Sequence, residues 1–290
     1  MRKAAVAGQF YPDTKRTLQQ QIEACFHDNR GPGMIPSIKQ GKTTVKGIVV
    51  PHAGYIYSGA IAAHAYAFLA ENGFADTFII LGPNHTGMGS GVSVMTEGSF
   101  ETPLGRVPIN TEYAKQLNRD IIDNDKSAHL HEHSIEVQLP FLQVLAKSKP
   151  FDFIPICMAL QDYDTAQEVG TIIAQVILQS KKNVIIIASS DFSHVGFNYM
   201  SMPPQGIRVD TYAKQQDILA IDQITKMNPE GLIQTVYDNT ISMCGYGPVA
   251  AMLVAAKQLG ATHAKLLKYG TSYEVHPGDS CVGYGAIAVY

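Results

Sequence analysis

Val45-Lys46-Gly47-Ile48-Val49-Val50 runs directly into Pro51-His52-Ala53-Gly54-Tyr55. The first six residues are rich in β-branched side chains, and the next five carry turn and polar chemistry. Together they read as a strand followed by a loop that presents His52. The same pattern recurs twice. Thr77–Leu81 leads to Gly82-Pro83-Asn84-His85, and Asn183–Ala188 leads to Ser189-Ser190-Asp191-Phe192-Ser193-His194. If the three runs are parallel strands of one sheet, His52, His85 and His194 fall at one carboxyl edge, where open α/β sheets bind ligands. Imidazole is the commonest protein metal ligand, so this arrangement points to a metal-centred site.

Further strand-like runs lie at 92–96, 151–157, 264–269 and 281–289. Between them, segments with a period near 3.6 occur at 13–27, 58–72, 111–122, 134–147, 162–180, 207–226 and 247–259. Such alternation predicts an α/β fold with a mostly parallel central sheet flanked by helices. Residues 92–110 read instead as a hairpin or edge insertion. Residues 31–44 and 200–206 read as loops, the second either a cover for the site beside His194 or a plain connector. No polar linker divides the chain, so a single domain over 1–290 is expected.

Composition excludes several classes. The net charge of −3 gives no footprint for nucleic acid or an anionic membrane. No run of 18 apolar residues occurs, so no membrane span is expected. Charged residues make up 16% of the 290, against a typical value of about 25%, which predicts a large core and a homo-oligomeric interface. Cys25, Cys157, Cys244 and Cys281 are scattered, without the spacing of a disulfide framework or zinc ribbon. Cys25, Cys157 and Cys281 fit buried thiols in a reducing, cytoplasmic setting, and the opening residues turn polar too early for a secretory signal. Two loose glycine patterns, at 245–250 and 283–288, lack the strand, helix and acidic residue of a dinucleotide site, so no nucleotide cofactor is expected.

Taken singly, His52 and His85 read as half-buried loop residues; their equivalent places at two strand ends favour a shared ligand role. Cys244 precedes a predicted helix with Pro248 in its first turn, a position that biases a thiol towards thiolate. With His52 and His85 it would complete a three-ligand site that leaves coordination positions open. His194 reads as an acid/base beside the metal, with Asp191 starting a helical turn or orienting an imidazole. In His129-Leu-His131-Glu132-His133-Ser-Ile-Glu136, His133 and Glu136 lie one turn apart and are expected to enter the same pocket as substrate-binding or supporting groups. The alternative is that the two glutamates serve the helix N-terminus while the histidines are solvated. His129 and His131 are assigned to the surface, and His27, His64, His263 and His276 to structural roles.

Longer motifs carry a resemblance. Ala-Gly-Gln-Phe-Tyr-Pro (7–12), Pro-His-Ala-Gly-Tyr-Ile-Tyr-Ser-Gly (51–59), Gly-Pro-Asn-His (82–85), Glu-His-Ser-Ile-Glu-Val-Gln-Leu-Pro-Phe-Leu (132–142), Ser-Ser-Asp-Phe-Ser-His (189–194) and Cys-Gly (244–245) closely resemble the Memo family, in order and over nearly the whole chain. The resemblance implies a fold like that of class III extradiol dioxygenases. By motif it implies His52, His85 and Cys244 as the metal set, with Asp191 and His194 in the same pocket and Tyr55 among the supporting residues. Those dioxygenases use two histidines and a carboxylate. A thiolate in the third place favours copper(I) or zinc and changes the redox behaviour of iron. Iron or copper, with zinc as a further candidate, is therefore the expected cofactor. The family's animal members are linked to receptor signalling, and its microbial members to AMMECR-type and radical-SAM proteins. Two functions follow: a metal-dependent oxidoreductase on a small substrate, or a non-catalytic module that binds a peptide, a metabolite or the metal itself.

Overall fold

The computed structural model describes residues 1–39, 41, 43–147 and 149–290. The expected loop 31–44 contains no helix or strand among its described residues; Gln40 and Lys42, like Ser148, lie outside them. The strands are β1 (Gly47–Val50), β2 (Thr77–Pro83), β3 (Val92–Val94), β4 (Ser99–Thr102), β5 (Gly105–Pro108), β6 (Asp123–Asn124), β7 (Asp152–Met158), β8 (Val184–Ser189), β9 (His194–Gly196), β10 (Ala264–Thr271) and β11 (Ser280–Val289). The helices are α1 (Lys15–His27), α2 (Tyr55–Asn72), α3 (Thr111–Leu117), α4 (Leu139–Ala146), α5 (Tyr163–Gln179), α6 (Val209–Thr225), α7 (Pro229–Asp238) and α8 (Tyr246–Gln258).

The main sheet runs in the order β10-β11-β1-β8-β2-β7-β3-β6. Its centre, β1-β8-β2-β7, is parallel, while β11 is antiparallel to β1 and β3 is antiparallel to β7. Parallel strands need long crossovers, and α2 and α5 supply them from β1 to β2, passing over β8, and from β7 to β8, passing over β2. Helix α2, backed by α1 and α4, packs on β11, β10 and β1, whereas α8, flanked by α5 and α7, packs on β8, β2 and β1. Covered on both faces, β1, β2 and β8 are buried throughout. Val50 pairs with Ser189, and Leu81 with Ala188, so the three strands end level. That register sets the loops of His52, His85 and Asp191 side by side.

Several elements depart from expectation. In the 92–110 insertion, β3 joins the main sheet and only β4 and β5 form a separate hairpin. Helix α7 was not anticipated, although Asn228 caps it and Pro229 occupies its first turn. No helical turn starts at Asp191: the chain turns instead into β9, which pairs with β11. The helix expected from 134 begins at Leu139, after a 3-10 turn at Glu136–Gln138.

The delay in α4 has a local cause: Pro140 lies in its first turn, and a proline cannot donate to the carbonyl four residues back. Arg2 is buried and reaches into the segment 129–136, donating from Nε to the His129 carbonyl (2.9 Å), from Nη2 to the Glu132 carbonyl and from Nη1 to the Glu136 carboxylate. His129, assigned to the surface from sequence, lies in the core at 1% exposure; His131 is exposed as expected. Both ring nitrogens of His129 lack a hydrogen-bond partner among the described residues. Burial, reinforced by the charge of Arg2, lowers its pKa to about 4.

A histidine held neutral in the fold but ordinary in the unfolded chain contributes stability that is complete above about pH 6.5 and is lost as pH falls towards 4. Across that window His129 accounts for about 3 kcal/mol. In denaturant titrations between pH 7 and 4.5, His129→Phe should flatten the acid loss of stability relative to the parent chain. Parallel curves would show that His129 is not the group responsible.

Candidate metal centre

His52 leaves the end of β1 and is buried at 2% exposure. Its loop is braced by the buried Asp191 carboxylate, whose Oδ1 accepts the main-chain N–H groups of His52 (2.8 Å) and Ala53 (3.3 Å). The ring tautomer follows from a chain of bonds. Ser189 Oγ donates to the Ser134 carbonyl (2.6 Å) and accepts from Gln138 Nε2 (2.8 Å). Its only hydrogen is thereby committed, so His52 Nδ1, at 2.9 Å, is the donor to that oxygen. Nε2 keeps its lone pair and faces Cys244 Sγ at 3.1 Å.

His85 follows β2 and is fixed by Glu132. Glu132 Oε1 accepts from His85 Nδ1 (3.0 Å), His133 N (2.8 Å) and Ser134 N (2.8 Å), and Oε2 accepts the His85 main-chain N–H. Burial pushes this carboxyl up, but the His85 hydrogen bond, the charges of His85 and His133 and the Ser134 N–H outweigh it and bring its pKa to about 2. An ionised carboxylate only accepts, so His85 carries its proton on Nδ1 and presents Nε2. His133 Nδ1 faces the same oxygen at 3.4 Å, and its ring stacks on His85 with centroids 4.7 Å apart. A carboxylate that orients ligating imidazoles is the usual outer partner of a histidine metal site.

One ring nitrogen from each of His52, His85 and His133 lies within 4.8 Å of the others, so these three could hold a metal ion. Burial holds His52 well below the ordinary imidazole range and His133 at about 4, in the neutral form that ligates. Cys244 stands beside His52 but outside this group. Its Sγ accepts the Asp191 main-chain N–H at 3.2 Å, and burial followed by the Asp191 charge pushes the thiol pKa up. Gln161 fixes its peptide, donating to the Cys244 carbonyl and accepting from Gly247 N, both at 2.9 Å.

These groups border a cavity of about 410 Å³ that His52, His85, His133, Asp191 and His194 all line. His194 Nδ1 donates to the Ser242 carbonyl at 3.0 Å, which leaves Nε2 free for a proton. Burial raises the Asp191 pKa, and the two loop N–H groups and His194 act against it.

Three predicted site residues do not line the cavity: Glu136, Tyr55 and Cys244, the last of which lies behind His52. Glu136 is fully buried, pairs with Arg2 and accepts from Ala5 N, Val6 N and the Tyr11 hydroxyl. Tyr55 is buried and donates its hydroxyl to the Val137 carbonyl at 2.6 Å; the cavity wall is Tyr57 instead. His276, read as structural, lines the cavity, as do Phe10 and Tyr199. No local pattern marks His276, which arrives on the loop between β10 and β11. Glu132, read as a helix-end charge, is the hub of the site. A carboxylate between two histidines was the available signal.

A profile of the Memo-like protein family matches residues 2–288. The chain belongs to this family. A MEMO1 family protein of Methanopyrus kandleri is 46% identical over 99% of this chain and 98% of its own length. One from Methanothermobacter thermautotrophicus is 43% identical over 99% and 100%. An uncharacterised protein of Escherichia coli K12 has a similar crystal structure, with a TM-score of 0.56 at 13% identity, covering 84% of this chain and 99% of that one. That likeness shows the fold alone. Within this Memo-family chain, Glu132→Gln should weaken divalent-metal affinity by about 10- to 100-fold, measured by competitive titration of Zn²⁺, because the amide cannot serve all four N–H donors. Unchanged affinity would separate Glu132 from the metal centre.

Proposed function

We propose that this Memo-family protein is a metal-dependent oxidoreductase acting on a small substrate, with His52 and His85 as two of the metal donors. Convergence of imidazole rings of fixed tautomer on one cavity wall carries this reading. The third donor is His133 or Cys244: His133 completes the imidazole group, and Cys244 Sγ sits 3.1 Å from His52 Nε2. The imidazole set suits iron, copper or zinc, and the thiolate set favours copper(I) or zinc. When bound, such an ion would supply a Lewis-acid and redox centre.

The chain's own residues supply the rest. His194 accepts or gives a proton at Nε2, while its Nδ1 bond to Ser242 holds the ring in place. Asp191 braces the His52 loop and fixes Cys244 through its own N–H. Phe10, Tyr57, Tyr199 and Tyr284 enclose the substrate with aromatic surface. A second reading, binding of a peptide or metabolite without turnover, draws on the exposed Phe197, Met200 and Met202 flanking Tyr199.

Elemental analysis after anaerobic purification tests the proposal. The parent chain should carry bound metal and His85→Ala should lose it. Loss in His133→Ala with retention in Cys244→Ser assigns the third donor to imidazole, and the converse assigns it to thiolate. Metal-free parent protein, or full loading of the His85 variant, would overturn the reading. Saturable ligand retention by the loaded chain without chemical change would favour the binding module.

A further inference from the structure

Arg2 is 1% exposed, and a buried guanidinium needs partners for its donors. All its side-chain bonds end on residues 129–136: the His129 and Glu132 carbonyls and the Glu136 carboxylate. That segment carries Glu132 and His133. Glu132's own side chain restrains it too, gathering the main-chain N–H groups of His133 and Ser134 and the ring of His85, and Ser134 is held through Ser189 Oγ on its carbonyl and its own Oγ on the Pro83 carbonyl. Arg2 therefore grips the backbone of the residue whose side chain orients two metal-donor rings.

The strap that bears Arg2 is itself tied down. Arg2 N donates to the Ser99 carbonyl, and Glu101 N donates to the Arg2 carbonyl, both at 2.8 Å, so the strap lies along β4. The guanidinium sits over the Phe100 ring at 4.7 Å. Further on, Ala5 N, Val6 N and the Tyr11 hydroxyl bind Glu136. The Phe10 carbonyl accepts Tyr55 N at 2.9 Å, close behind the His52 loop, and the Phe10 ring packs on His133 with centroids 4.6 Å apart. The strap thus touches both the His133 segment and the chain that follows His52.

We propose that Arg2 is a positioning residue of the metal centre: through the strap of residues 2–11 it presets Glu132, and with it the rings of His85 and His133, for the ion. The inference rests on the metal reading given above. An apolar side chain of similar length could fill the same volume, but it could not bind two carbonyls and a carboxylate at once. Lysine keeps the charge opposite Glu136 but concentrates it at one atom, so it cannot span the three acceptors.

Co²⁺ titration followed by its visible spectrum tests this on the full chain, with Arg2→Met, Arg2→Lys, Ile173→Ala and Lys214→Ala, the last an exposed position on α6. Ile173 is a fully buried residue of α5, and its truncation provides a variant of lowered melting temperature with the strap intact. Arg2→Met should lose about tenfold or more in Co²⁺ affinity, with a changed spectrum. Arg2→Lys should fall between it and the parent, and both controls should match the parent. If Arg2→Met does not fold, Arg2→Lys carries the test. Parent-like affinity and spectrum in the folded Arg2 variants would overturn the inference alone, as would equal losses in Ile173→Ala. A parent chain that takes no Co²⁺ would overturn the metal reading and the inference with it.

Discussion

Four N–H groups converge on the Glu132 carboxylate, which is almost wholly buried: the main chain and ring of His85 and the main chains of His133 and Ser134. A buried carboxylate is tolerated only when donors replace its lost hydration. Here that requirement and the construction of the site are one thing. The donors needed to keep Glu132 ionised also fix the His85 loop, the His133 turn and the tautomer of at least one ring. Were the carboxylate neutral, it would offer a hydrogen instead of accepting one, and the His85 ring would lose its reason to present Nε2.

Asp191 plays the corresponding part on the other side. It receives the two N–H groups of the His52 loop, and its own N–H binds Cys244 Sγ. The two acidic residues thus hold loops from β1 and β2, together with the segments 132–134 and 190–194, around one cavity. This division of labour follows from the sheet. Parallel strands ending level give the loops a common edge but not their conformation, because backbone N–H groups beyond the last ladder bond have no partner in the sheet. Carboxylates and serine hydroxyls take those N–H groups up.

Much of this was legible in the sequence. The runs ending at Val50, Leu81 and Ala188 are continuously apolar, which is how strands covered on both faces read. Their order with intervening helices gave the parallel centre, and strand-end position gave His52, His85 and Asp191. The segment 129–136 was the least legible. It holds five titratable residues in eight positions, and helical spacing assigned His133 and Glu136 to one pocket. The α-helix starts only at Leu139, with Pro140 in its first turn, and Arg2, 127 to 134 residues away, binds the segment before it. Glu132 and Glu136 consequently exchange roles: the first orders the rings, and the second anchors the strap.

The sequence by itself determined the layered α/β framework, the edge at which polar residues gather and the family to which the chain belongs. These depend on periodicity, turn chemistry and long contiguous motifs, all of which are local properties of the chain. Only the tertiary structure decided that His133 stacks on His85, that His129 lies in the core, that His276 reaches the cavity and that Arg2 grips the Glu132 backbone. Each of these depends on which distant group answers a buried donor or acceptor, and hydrogen-bond satisfaction across a folded core leaves no periodic trace in the chain.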